Sequence, residues 1–312
     1  MTSDLKYYAL PGPLTDLKDF QDFTDWLSPE PRIIFQVAQG LIVHDMWIER
    51  YSVKTKPRQK SVKCSPSAND ILVQASKLKS MSLALPRSPD ERVIGCCREF
   101  SLLATALFRA KGIPARARCG FALYLAYPGF CEDHWVCEYW DGKNWVAIDP
   151  QIDPFQQSSF QNYANTQKNI DPEYKKMLLS LNPLNISSKH FVDAGTAWKM
   201  YREGKADPDK FGIGADPKEF GLKTLYGSWF MRGQLLRDFA ALNKVETVPF
   251  LVRLEMKLDW TPWRLVAASD DQLTDKDLTL LDAIADLCAK PDGRLTEINK
   301  TFQSNSDLHP LL

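Results

Sequence analysis

An α+β fold is what this chain predicts: one central helix followed by antiparallel strands, with helical segments on both sides. Three observations carry that expectation. A one-sided helical stripe of Phe100, Leu103, Ala104 and Leu107 begins beside Cys96 and Cys97 and is stopped by Gly112 and Pro114. Two segments of alternating character follow, at 115–119 and 134–140. An Asp141–Gly142 hairpin signal then turns the chain into a return strand over 145–148.

Taken in order, residues 1–90 read as a mostly helical region. The spacing of Ile34, Val37, Leu41 and His44 predicts a helix over 31–51, with Pro31 at its start and a broad apolar face for burial. His44 reads there as a structural helical histidine, because a better-placed one exists further on. Residues 53–69 carry two prolines and polar side chains and predict a loop. A second helix over 70–80 buries Ile71, Leu72, Ala75 and Leu78. The core over 91–165 then holds the central helix, the strands just named, an extended run over 121–127 and a turn at Gly129.

Past Pro154 the amide-rich stretch 156–169 predicts a surface excursion. Helices are expected at 194–204, at 232–244, where Leu235, Leu236, Phe239 and Leu242 share a face, and at 275–290 before a polar tail. Trp229, Phe230, Trp260 and Trp263 read as core or internal-interface aromatics. Residues 166–312 thus form a mostly helical C-terminal region, and the three regions can share one globular unit.

Composition narrows the function. With 39 basic and 39 acidic residues the net charge is zero, which argues against a nucleic-acid partner, since those proteins show a basic excess. The most apolar early run, from Ile33 to Val43, is too short for a membrane span, and the N-terminus has no secretory pattern. Seven cysteines at irregular spacing predict reduced thiols and a cytoplasmic protein.

The chemistry sits between Gly95 and Asp153. A thiol is a useful nucleophile as thiolate, and the first turn of a helix favours that form through its oriented amides. Cys97 meets this condition by sequence. A histidine must act as acid and base, and a third residue must fix its tautomer. His134 and Asp149 flank the 141–142 turn and can face one another from paired strands. A zinc site from Cys131, His134 and the Cys96–Cys97 pair fits no usual ligand spacing, and no cofactor or metal is expected.

The wording around these residues is specific. Cys97, followed by ALFRAKGIPAR, then HWVCEYW and WVAIDP, resembles the transglutaminase-like superfamily of papain-fold cysteine enzymes. The resemblance implies a nucleophile helix packed on an antiparallel sheet. It places the nucleophile on Cys97 and not on Cys96, from the distance to Gly112, the histidine on His134, and the aspartate on Asp149 with Pro150 behind it. A closer resemblance, over about 95–250, is to uncharacterised bacterial transglutaminase-domain proteins. It rests on RARCGF, EDHWVCEYW, AWKMYREGKADPDKFGI and LLRDFAALNKVE. One departure stands out. Trp135 is adjacent to His134 rather than two residues after it, which on a strand turns its indole to the other face. The Cys97 amide remains the candidate oxyanion donor.

The implied reaction is attack on an amide of a protein or peptide substrate, a peptide bond or a glutamine side chain, through an acyl-thioester. Hydrolysis, as a peptidase or amidase, is favoured because water needs no second-substrate site. Transfer to an amine, as in a transglutaminase, and a non-catalytic binding scaffold are the alternatives.

Overall fold

The computed structural model describes residues 1–52, 65–220, 223–247 and 263–310 of the 312. They divide into two compact units. The first comprises Met1–Ala117, Val136–Ser159 and Asn182–Ile186, and the second Arg118–Trp135, Phe160–Leu181 and Ser187–Leu312.

In the first unit, α1 (Ser3–Ala9), α2 (Gln21–Asp25) and α3 (Pro31–Leu41) precede a short strand β1 (Ile42–His44) and a 3₁₀ segment over Asp45–Tyr51. Next come α4 (Ala68–Leu78), β2 (Val93–Gly95) and the central helix α5 (Cys97–Ala110). The helix expected over 31–51 therefore ends at Leu41. The β-branched pair Ile42–Val43 favours an extended backbone, and it pairs in parallel with β2 in the register Ile42↔Val93, Val43↔Ile94 and His44↔Gly95. The 3-residue step from Leu41 to His44 matches a helical period without being one. Of the predicted loop 53–69, residues 53–64 lie outside the described residues. Ser67 ends it by capping α4, its Oγ accepting the Asp70 N–H at 3.2 Å while the Asp70 carboxylate accepts the Ser67 N–H at 3.1 Å.

Helix α5 organises this unit. Every residue from Cys97 to Arg109 is buried, with α1, α3 and α4 packed around it. A helix covered on all sides must match its polar groups internally, and the side facing the strands does so. Ser101 Oγ donates to the Val136 carbonyl at 2.6 Å and Thr105 Oγ1 to Cys137 Sγ at 3.3 Å. The Phe108 ring stacks on Tyr139 with centroids 4.7 Å apart. Gly112 ends the helix at φ +70°, as its position predicts.

The strands that follow are β3 (Ala115–Ala122), β4 (Cys131–Trp140) and β5 (Trp145–Ile148). Both β3 and β4 run from one unit into the other. The sheet has the order β5-β4-β3-β6, with β6 being Phe191–Asp193 and β7 (Phe211–Gly212) parallel to the start of β4. β4 and β5 pair antiparallel from Cys137↔Ile148 to Trp140↔Trp145. Their turn is tied by Asp141 Oδ1, which accepts the N–H groups of Lys143 and Asn144, each at 2.7 Å. The architecture is the α+β one: a central helix on antiparallel strands, with helices before and after.

The amide-rich stretch after Pro154 is a helix, α6 (Pro154–Thr166), not an excursion. Asp153 Oδ1 caps it through the Gln156 N–H at 2.9 Å, and Gln156, Phe160 and Ala164 form a narrow buried line. In the second unit α7 (Pro172–Ser180), α8 (Ala194–Arg202), α9 (Ser228–Leu242), α10 (Arg264–Ala267), α11 (Asp275–Ala289) and α12 (Leu295–Ser304) follow. The polar tail thus contains a helix. Trp260 lies outside the described residues; Trp263 is buried, its Nε1 donating to the Leu308 carbonyl at 3.1 Å.

Helices α8, α9 and α11 pack on one another. Their anchor to β3 is the buried Asp238. Its carboxylate accepts Nε and Nη2 of Arg118, each at 2.9 Å, and the Cys119 N–H at 2.9 Å. No helix among the described residues is long and apolar enough to cross a membrane.

Candidate active site

Cys97 is the first residue of α5, and Cys96 is its N-cap with an extended backbone. The helix start is held from beneath. The Glu99 carboxylate accepts the Cys96 N–H at 2.8 Å, and Arg98, fully buried, lies 3.1 Å from Glu99 Oε1. The Arg98 guanidinium also donates to the Ser65 and Pro66 carbonyls at 2.9 and 2.8 Å. A buried carboxylate at a helix start thus has its charge matched. Gly95 is required by close approach. A Cβ there would stand 3.0 Å from Glu99 Cβ and 3.2 Å from Ile42 Cγ2. Gly95 is the last residue of strand β2.

The two neighbouring thiols differ. The Cys96 thiol hydrogen-bonds Cys97, and that contact, with burial and the nearby Glu99 charge, pushes it well above the ordinary thiol value. Cys96 is therefore held as a neutral thiol. Cys97 is 7% exposed at the positive end of the helix, and its side chain hydrogen-bonds His44 from the end of β1.

The structure places His44 beside Cys97, which its sequence context did not suggest. Read as helical, it belongs instead to a strand whose register sets it level with Gly95, two residues before Cys97. Its Nδ1 lies 2.9 Å from Asp45 Oδ1, and its side chain is 10% exposed against 53% for Asp45. The Met46 N–H donates to that same Asp45 oxygen at 2.7 Å and fixes it. Burial alone would lower the His44 pKa, but Asp45 and the Cys97 sulfur outweigh it and raise it to about 9. One signal was available: a His-Asp pair directly after a β-branched apolar run, where a strand ends and a polar site can begin.

Further contacts fix the surroundings of β1. Gln39 Nε2 donates to the Ile152 carbonyl at 2.8 Å, tying α3 to the turn after β5. Tyr51, at the end of the 3₁₀ segment, donates to Asp153 Oδ2 at 2.8 Å and accepts from Gln156 Nε2 at 3.2 Å.

Asp149 stands just past β5, fully buried, in the same unit as Cys97. Its Oδ1 accepts the Gln151 N–H at 3.0 Å, and its own N–H donates to the Pro183 carbonyl at 2.8 Å. His134 belongs to the part of β4 in the second unit. It is buried, with the Tyr124 ring set edge-on at a centroid distance of 6.0 Å. Trp135 is buried too, its Nε1 without a hydrogen-bond partner among the described residues. Cys131, in contrast to Cys97, is partly exposed, and burial pushes its thiol up to about 11. Among the described residues no group of three or more His, Cys, Asp and Glu side chains is arranged to hold a metal ion.

A buried thiol on the first turn of a helix that lies across antiparallel strands is the arrangement of a papain-like cysteine enzyme. One comparison agrees with the family resemblance at this segment. Residues 77–150, which include Cys97, His134 and Asp149, match the model of the transglutaminase-like superfamily. No curated protein matches the chain. A solved structure from Cytophaga hutchinsonii, provisionally described as a cysteine protease, is similar at 20% identity and a TM-score of 0.33. The similarity covers 48% of this chain and 43% of that one, so this chain spans less than half of that protein's length.

Proposed function

We propose that the protein is a cytoplasmic cysteine enzyme that cleaves amide bonds of a protein or peptide, with Cys97 as nucleophile, His134 as acid and base, and Asp149 orienting the imidazole. The observation that carries this reading is the position of Cys97: the first residue of a buried helix, beside a neighbouring thiol held neutral. The family match spans all three residues.

In the proposed reaction the Cys97 thiolate attacks the carbonyl carbon, a C–S bond forms, and the oxygen takes the negative charge beside the Cys97 amide. The C–N bond then breaks and the amine leaves with a proton from His134. Water, giving its proton to His134, attacks the acyl-thioester; the C–S bond breaks, the acid departs and the thiolate returns. An amine in place of water makes the same intermediate an acyl-transfer one. Exclusion of water from the cleft decides between them.

The test is to mix the protein with a panel of peptides bearing glutamine and backbone amides, quench in acid, and look by mass spectrometry for an acyl group on Cys97. The expected result is a hydroxylamine-labile adduct on wild type, absent in Cys97→Ala and strongly reduced in His134→Ala, where the leaving amine has lost its proton donor. A labelled amine in the reaction then separates hydrolysis from transfer. Turnover that persists in Cys97→Ala would refute the assignment.

A further inference from the structure

The hydrogen bond between His44 and Cys97 is not used by the proposed triad, yet it lies wholly within the first unit. The set is complete in itself. Asp45 stands on Nδ1 of the ring at 2.9 Å, the Met46 N–H is shared between that carboxylate at 2.7 Å and His44 Nδ1 at 3.3 Å, and the Cys97 side chain hydrogen-bonds the same ring. The β1–β2 register and the small Gly95 bring the ring close to the helix start. We propose that His44, oriented by Asp45, is a second catalytic histidine whose imidazolium holds Cys97 as a thiolate, separate from the acid–base duty given to His134. This rests on Cys97 being the nucleophile.

The chemistry follows from the groups that act on the ring. These are Asp45 beside it and Cys97 across from it. Both favour the protonated form, and together they overcome a burial that opposes it, giving a pKa of about 9. A histidine that keeps its proton at neutral pH is a poor shuttle, since general acid–base work calls for a pKa near the operating pH. It is a good counter-ion. The proton leaves the thiol for the His44 ring, the thiolate and imidazolium stay paired, and the charge is in place before substrate arrives. His134, protonated from solvent, gives its proton to the leaving amine and regains one from the attacking water. The fold pattern of a helix-borne thiol and strand-borne histidine does not call for this residue; the parallel pair β1–β2 supplies it.

The experiment is a pH series of iodoacetamide labelling, read site by site by mass spectrometry, on wild type, His44→Gln, Asp45→Asn and His134→Gln. In wild type Cys97 should label at about pH 6 well ahead of Cys131. An opposite charge in hydrogen-bond contact shifts an ionisation by ~1–3 units, so His44→Gln should slow labelling at pH 6 at least about tenfold. Above about pH 10, where the His44 imidazolium, with a pKa of about 9, has itself lost its proton and an ordinary thiol is ionised, the rates should agree within about twofold; a merely misfolded variant would not show that convergence. Asp45→Asn, at a half-exposed position, should move the profile in the same direction by less, and serves if His44→Gln does not fold. His134→Gln should leave the profile in place.

A His44→Gln profile superimposed on wild type, with Cys97 still faster than Cys131, would overturn the role of His44 and leave the nucleophile standing. So would a shift seen in His134→Gln alone. Wild-type Cys97 labelling no faster than Cys131 would overturn the nucleophile itself, and the second histidine with it.

Discussion

His44 and Gly95 are register partners in the parallel pair β1–β2, so the imidazole closes β1 level with the residue two before the thiol. The chain has 4 histidines, and two of them are displaced in opposite directions. Asp45 and Cys97 raise His44 to about 9 against burial, while burial lowers His190. An NMR titration of the ring protons should find His44 still protonated at pH 8, where a free histidine, near 6.5, is neutral. Cys97→Ala removes the sulfur's hydrogen bond and charge and should move the His44 midpoint down. A His44 midpoint below about 6.5 in wild type would contradict the geometry.

Gly95→Ala tests the closeness of β2 to the helix start. The added methyl meets Glu99 Cβ at 3.0 Å and Ile42 Cγ2 at 3.2 Å, both on packed elements that cannot simply swing away. Overpacking of this kind costs about 1–3 kcal/mol, to be measured by urea unfolding. The variant should also label more slowly at Cys97, because the His44 ring is carried on the neighbouring strand. Unchanged stability would mean that the β1–β2 pair yields easily.

How much of this was legible in the sequence depends on how local the determining physics is. The central helix, its Gly112 stop and the β4–β5 hairpin were readable because each is set by neighbouring residues: a one-sided stripe, a left-handed glycine, an Asp-Gly turn. Helix α6 was not readable, since its Gln- and Ser-rich run shows little amphipathic pattern; an Asp153 cap and three buried positions hold it. His44 was misread for a related reason. Its three-residue step from Leu41 imitates a helix, and only the distant pairing of Ile42 with Val93 makes that stretch a strand. Long-range pairing can override a local period, and here it places a histidine not inside a helix but against the Cys97 side chain.

In the second unit, Asp286 offers a pH test. Lys199 and Arg294 hydrogen-bond it, at 2.8 and 2.7 Å, and lower its pKa to about 2. A carboxylate lowered in the folded state adds stability that is present above its unfolded value near 3.9 and is lost as the pH falls through about 2. Asp286 is 45% exposed, so solvent screening keeps the gain below about 1 kcal/mol. Asp286→Asn should therefore unfold slightly earlier than wild type at pH 6, and the two should converge near pH 2. A constant gap across that range would assign the effect to packing instead.

The buried Arg98–Glu99 pair beneath Cys97 should behave asymmetrically. Both side chains are fully inaccessible and 3.1 Å apart, and the guanidinium also satisfies two carbonyls just ahead of α4. Arg98→Met deprives a buried carboxylate of its cation and should cost about 3–5 kcal/mol in urea unfolding. Adding Glu99→Gln should return part of that loss, because the neutral amide can still accept the Cys96 N–H that Glu99 holds at 2.8 Å. The recovery is the informative measurement. A double variant no more stable than Arg98→Met would show that Arg98 acts through its contacts with Ser65 and Pro66, whereas recovery means that charge balance under the helix start is what keeps Cys97 in place.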